Sequence, residues 1–91
     1  MKLNNVDLNL FVVFDTIYRE KNLTRASESL NITQPAVSNS LRRLRELFND
    51  QLFVRQDGKM IPTATAKSLA DRVQNALVAL DESLYELDSF D

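Results

Sequence analysis

The sequence predicts a mainly α fold: three short helices, a two-stranded β hairpin and one long C-terminal helix. Three observations carry this. Apolar residues recur at helical spacing over most of the chain, with capping residues between the runs. The period changes only around "QLFVRQDGKMIPT", where β-prone residues flank a turn dipeptide. From Leu69 onward, leucines and a valine keep to one helical seam almost to the end of the chain.

Asp7 is placed to cap a first helix over residues 8–20, in which Leu10, Val13, Phe14, Ile17 and Tyr18 share one face. "EKN" ends it, with Asn22 the residue that tolerates a left-handed helix end. Thr24 then caps a second helix reaching Leu30, with the small Ala26 and Ser27 facing inward. "NIT", residues 31–33, is a tight joint: Asn31 takes positive φ at little steric cost and Ile32 is an apolar plug. Thr33 caps the third helix, with Pro35 in its first turn, where no N–H is required. Helices joined this tightly cross steeply, and small residues at 26 and 27 permit the approach, which is the mark of a helix-turn-helix.

The third helix, to residue 48, buries Val37, Leu41, Leu44 and Phe48. Leu52, Phe53 and Val54 then form a β-prone run, Asp57-Gly58 makes a hairpin turn, and Met60-Ile61 returns antiparallel as a small wing. Pro62 ends the return strand and Thr63 caps a long helix over residues 64–88. Its seam is Leu69, Val73, Leu77, Leu80, Leu84 and Leu87. Packing on the domain's own core accounts for the N-terminal half. The C-terminal half extends beyond what a three-helix domain of about 60 residues covers, so it is expected to meet a second copy of the chain. The predicted organisation is a winged helix-turn-helix over residues 1–62 and a linker and dimerisation helix over residues 63–91, hinged near Pro62-Thr63.

With no cysteine and no histidine, the sequence has no disulfides, thiolate nucleophiles, imidazole bases or ordinary transition-metal ligand sets. A single glycine leaves no phosphate-cradling loop, and the carboxylates are scattered over polar helix faces. Neither an enzyme nor a cofactor is expected. No apolar run approaches the roughly 18 residues that span a bilayer, and the N-terminus has no signal-peptide pattern, so the expected setting is cytoplasmic and nucleoid-associated.

The net charge of −2 and pI near 5.0 argue against a nucleic-acid binder only as averages. Residues 19–59 hold eight basic groups against five acidic, whereas residues 71–91 hold one against six. One end of the molecule is suited to a polyanion and the other is not. Within the third helix, residues 34–45 contain three arginines and no acid. Gln34, Ser38 and Asn39 carry amide and hydroxyl groups able to pair with base edges; Arg42, Arg43 and Arg45 suit phosphates. Thr24 and Thr33 are helix caps whose position also suits phosphate, and Arg25 joins them. Arg55 and Lys59 on the wing are placed for backbone and minor groove.

Beyond these readings, the chain resembles the N-terminal DNA-binding region of LysR-type transcriptional regulators. The resemblance covers nearly the whole chain and rests on "LTRAS", "TQPAVS", "RL", "LFVR" and "PT" in the family's order and spacing, with wording most like the branch containing LeuO and NodD. It implies a bacterial regulator whose linker helices pair two chains, with tetramers open to the full-length protein. Two recognition helices would then lie on an interrupted inverted repeat in double-stranded DNA. Residue by residue, it implies that Gln34, Pro35, Ser38 and Asn39 face bases, Thr33 and Arg42 contact backbone, and Arg55 is the wing arginine. It further implies a C-terminal effector-binding domain outside these residues, where any small-molecule effector would bind. Ser27, Asn39, Arg45, Asn49 and Lys67 depart from the family's usual residues. A rival reading is a winged-helix module that binds protein through the leucine-rich helix.

Overall fold

The computed structural model describes residues 2–88, with side chains as far as residue 86. After a single 3-10 turn at Leu3–Asn5 come α1 (Asn9–Glu20), α2 (Leu23–Leu30), α3 (Gln34–Phe48), β1 (Phe53–Gln56), β2 (Lys59–Pro62) and α4 (Ala64–Asp88). The strands pair antiparallel in the register Phe53 to Pro62, Val54 to Ile61, Arg55 to Met60 and Gln56 to Lys59. This is the expected winged helix-turn-helix with a long C-terminal helix.

The core is built where the three periodic helix faces meet. Leu10, Val13, Phe14 and Ile17 from α1 pack with Val37, Leu41 and Leu44 from α3, and all are buried. Ala26 of α2 is fully buried, so the helix-turn-helix crossing leaves its Cβ no solvent. Ser27 is buried beside it with its hydroxyl donated to the Thr24 carbonyl at 2.7 Å, which removes the cost of placing a polar group there. The wing is fastened by Phe53, whose ring lies 5.6 Å from Phe14 and 6.3 Å from Tyr18, and by the Met60 N–H donating to the Lys21 carbonyl at 2.9 Å. Truncating a ring buried like Phe53 costs about 3–5 kcal/mol in comparable cores.

The helix ends follow capping chemistry, with four shifts from the sequence reading. Thr33 and Thr63 cap α3 and α4 as expected, accepting from the N–H groups of Ala36 (3.3 Å) and Ala66 (3.2 Å). Asn31 takes the left-handed conformation as expected, and Asn49 does the same at the end of α3. Asp7 does bind the start of α1, accepting from Asn9 N–H at 3.0 Å, but the helix begins one residue later than expected and Leu8 is its cap position. Lys21, not Asn22, is left-handed at the end of α1. Asn22 is free to be the N-cap of α2, accepting from Arg25 N–H at 2.9 Å, and Thr24 lies inside that helix. Lys21 tolerates the conformation with its Nζ donating to the Tyr18 carbonyl at 2.7 Å and resting 3.9 Å from the Tyr18 ring.

Ile32 is 40% exposed and does not plug the joint; the left-handed Asn31 turns it outward. Leu52 is buried but lies outside the strand with φ 63°, so the β run begins at Phe53. At the wing tip Asp57 (φ 52°) and Gly58 (φ 77°) both occupy the left-handed region that a two-residue hairpin turn of this hand needs.

Candidate nucleic-acid interface

The third helix is mounted with its apolar side in the core and its opposite side in solvent. At about 3.6 residues per turn, the sector away from Val37, Leu41 and Leu44 holds Pro35, Asn39 and Arg42, with Ser38 at its edge, while Gln34, seven positions before Leu41, is the first residue of the helix and lies on the α2 side. All five are exposed. Thr33, Thr24 and Arg25 are exposed beside the start of this helix. The Thr24 hydroxyl donates to Gln34 Oε1 at 3.3 Å, joining α2 to the first turn of α3 and leaving the Gln34 amide nitrogen as an outward donor.

The three arginines of α3 have three different settings. Arg42 stays on the exposed sector, donating to Asn39 Oδ1 at 2.7 Å and to Glu46 Oε1 at 2.8 Å. Arg43 lies on the flank facing α1, where it pairs with Asp7 at 3.2 Å; both side chains are more than two-fifths exposed, so the pair adds at most about 1 kcal/mol. Arg45 is half-buried and donates to the carbonyls of Gln51 and Phe53, each at 2.8 Å. Arg45, expected to serve phosphate, has its Nε and Nη2 engaged in holding the segment between α3 and the wing.

On the wing, Arg55 and Lys59 are both exposed. The register puts Arg55 on the sheet face of Met60 and Lys59 on that of Gln56, so the two cations leave the hairpin on opposite faces. Lys59 lies with Lys21, Asn22 and Arg25 around a groove between the wing tip and the α1–α2 turn. The wing tip and the α1–α2 turn thus share a groove whose cations are diluted by Glu20 and Asp57.

Behind the wing a polar latch joins three elements. Asp50 Oδ2 accepts from the Leu52 N–H and from the Thr63 hydroxyl, both at 2.8 Å. These bonds, the backbone one foremost and a further one from Thr65, hold the Asp50 carboxyl below its ordinary pKa, because each stabilises the charged form.

The long helix divides as its seam suggests. Val73 is 8% exposed and belongs to the core, and Leu69 and Leu77 pack against that core. Leu80 and Leu84 are 61% and 63% exposed; the side chain of Leu87 lies outside the described residues. Leu3, Leu8, Phe11 and Phe48 join Leu77 and Leu80 in a groove that is apolar almost throughout.

Sequence reasoning did not find Glu46 as the partner of Arg42, Asp7 as the partner of Arg43, the Asp50 latch or the share of Leu3 and Leu8 in that groove. The i, i+4 spacing of Arg42 and Glu46 signals an ion pair. Nothing comparable marks Leu3 and Leu8, which precede the first periodic helix.

A family profile described as "Bacterial regulatory helix-turn-helix protein, lysR family" matches residues 8–67. The chain belongs to the lysR family. It is 47% identical over 91 residues to the HTH-type transcriptional activator NagR of a Ralstonia species, covering all of this chain and 30% of that protein. To the HTH-type transcriptional regulator LeuO of Escherichia coli (strain K12) it is 47% identical over 83 residues, 91% of this chain and 26% of that protein. The chain thus spans less than a third of these lysR-family relatives, which are named as regulators of transcription and not as enzymes.

Among solved structures, the probable transcriptional regulator PA0477 of Pseudomonas aeruginosa superposes with a TM-score of 0.90 at 46% identity, over 93% of this chain and 28% of that one. The BenM DBD in complex with benA site 1 DNA has the same fold, with a TM-score of 0.82 at 21% identity over 94% of this chain and all of that one. No described helix is long and apolar enough to cross a membrane.

Proposed function

We propose that this chain is the sequence-specific DNA-binding part of a transcriptional regulator and binds double-stranded DNA as a homodimer, on an interrupted inverted repeat, with α3 in the major groove. The observation that carries the reading is the exposed sector of α3. Gln34, Ser38 and Asn39 offer hydrogen-bonding groups of the kind that read base edges, Pro35 lies among them, and Arg42 sits one turn further on. The lysR-family relatives, named as transcriptional activators and regulators, support the same assignment.

Thr24, Arg25, Thr33, Arg42 and Arg43 serve the DNA backbone at the two ends of the sector, and Arg55 and Lys59 on the wing serve the flanking backbone and minor groove. Residues 1–62 form the reading unit and residues 63–91 the linker that joins two copies, chiefly through Leu77, Leu80 and Leu84. The protein works in the cytoplasm on the nucleoid. A small-molecule effector would act through a separate domain of a longer chain, outside these residues.

Fluorescence anisotropy with random duplex at low and moderate salt tests the assignment. With about five phosphate contacts per chain, affinity should fall with salt at a log–log slope of roughly −4 to −5. Absence of duplex binding at low salt contradicts it and favours a protein partner on the leucine-rich helix.

A further inference from the structure

The exposed sector of α3 carries an anion of its own. Glu46 lies one turn beyond Arg42 and accepts from its Nη1 at 2.8 Å, while Nη2 of the same guanidinium donates to Asn39 Oδ1 at 2.7 Å. The Arg42 and Glu46 side chains are 60% and 67% exposed, so the pair contributes little to the fold. Its effect falls on whatever meets this face. An arginine neutralised at short range by a carboxylate reaches a phosphate only by leaving that carboxylate or by bringing it beside the phosphate. Both routes carry a cost, and it falls on a contact that itself holds no sequence information.

We propose that Glu46 is a specificity-determining residue which withholds Arg42 from the phosphates of non-cognate DNA. The proposal rests on the DNA-binding reading above. On a cognate site, base contacts from Gln34, Ser38 and Asn39 seat α3 firmly enough for Arg42 to exchange Glu46 for phosphate. On other DNA that seating is absent and Arg42 stays with Glu46. The residue therefore lowers background binding more than cognate binding, and specificity is the difference between the two. Arg43 offers no substitute for Arg42, since it lies beside Asp7 on the α1 flank, where it would meet a different stretch of backbone. Glu46 acts through Arg42 and is a positioning residue.

The test is anisotropy with a random-sequence duplex over a range of salt, using the wild type, Glu46→Gln, Arg42→Gln, the double variant, and Glu82→Gln as a charge-matched control on exposed α4. Glu46→Gln should bind about three- to tenfold tighter at low salt, with a slope steeper by about 0.9 per chain. In the Arg42→Gln background the same substitution should change neither quantity, and Glu82→Gln should not reproduce the gain. Selection from a random library should return the same motif for Glu46→Gln at lower enrichment.

An equal gain with and without Arg42 overturns the proposal, because Glu46 then repels DNA directly. No gain over a wild type that binds duplex in a salt-dependent way also overturns it, while leaving the DNA-binding reading intact. A wild type that does not bind duplex overturns that reading and the proposal together.

Discussion

The carboxylate of Asp50 accepts a hydrogen bond from the hydroxyl of Thr63, 13 positions on, at 2.8 Å, and so closes the loop that carries the wing. The same Thr63 oxygen accepts from Ala66 N–H, and the same Asp50 oxygen accepts from Leu52 N–H. The end of α3, the entry to β1 and the start of α4 are thus fixed to one another by two side chains. The direction in which α4 leaves the winged domain depends on this joint, and in the proposed dimer the spacing of the two copies of α3 would depend on that direction.

Asp50→Asn should lower the thermal midpoint at neutral pH, since the amide loses the charge that these donors stabilise. The folded pKa of Asp50 is depressed, so its contribution is fully present above the ordinary value of 3.8 and is lost as pH falls through the folded value. The gap between wild type and variant should therefore be constant from neutral pH down to about pH 5 and shrink below about pH 4. Thermal melts across pH check this; a gap that does not depend on pH contradicts it.

Arg45→Ala should destabilise the fold by about 1–3 kcal/mol, because the carbonyls of Gln51 and Phe53 lose their charged donor. Its salt dependence of duplex binding should match that of the wild type. Arg42→Ala should do the reverse, leaving the urea midpoint within about 0.5 kcal/mol of wild type and flattening the salt slope by about 0.9 per chain on a duplex carrying the selected site. Chemical denaturation and anisotropy on the same samples separate a structural arginine from a DNA-facing one.

Leu80→Asp should yield monomers that keep the wild-type circular dichroism spectrum. Leu80 is 61% exposed in the single chain and its loss removes no core packing, while a carboxylate in the apolar groove it shares with Leu3, Leu8 and Phe11 opposes association. Sedimentation velocity showing an unchanged dimer moves the interface away from α4.

Much of the fold is readable in the sequence where one residue type has one good use. Thr33 before Pro35, and Thr63 after Pro62, each mark a helix start, and Asp57-Gly58 marks the wing turn. Asn22 was ambiguous, since asparagine serves both as a left-handed helix end and as an N-cap; the structure uses it as the cap and gives the left-handed position to Lys21. Ile32 read as a plug because it is apolar, but burial is a one-way rule and a single exposed isoleucine costs little.

The candidate site was readable in outline and less so in its electrostatics. The exposed α3 sector follows from the period of Val37, Leu41 and Leu44. The different settings of Arg42, Arg43 and Arg45 do not, because they depend on what α1 and the post-helix loop place beside each one. The stretch with three arginines and no acid ends one residue before Glu46, the partner that the i, i+4 spacing supplies to Arg42. The groove beside α4 draws Leu3 and Leu8 from a 3-10 turn and a helix cap, where no periodicity announces them.

The central claim, that α3 reads base edges, is tested most directly by selecting bound sequences from a random DNA library at two salt concentrations, with wild type and Ser38→Ala in parallel. The account predicts an enriched two-fold repeat, with half-sites about one or two helical turns apart, and a loss of about 1–3 kcal/mol of discrimination in the variant. Uniform binding that salt abolishes, the same for both proteins, would contradict it: the arginines would then hold DNA without the helix reading it.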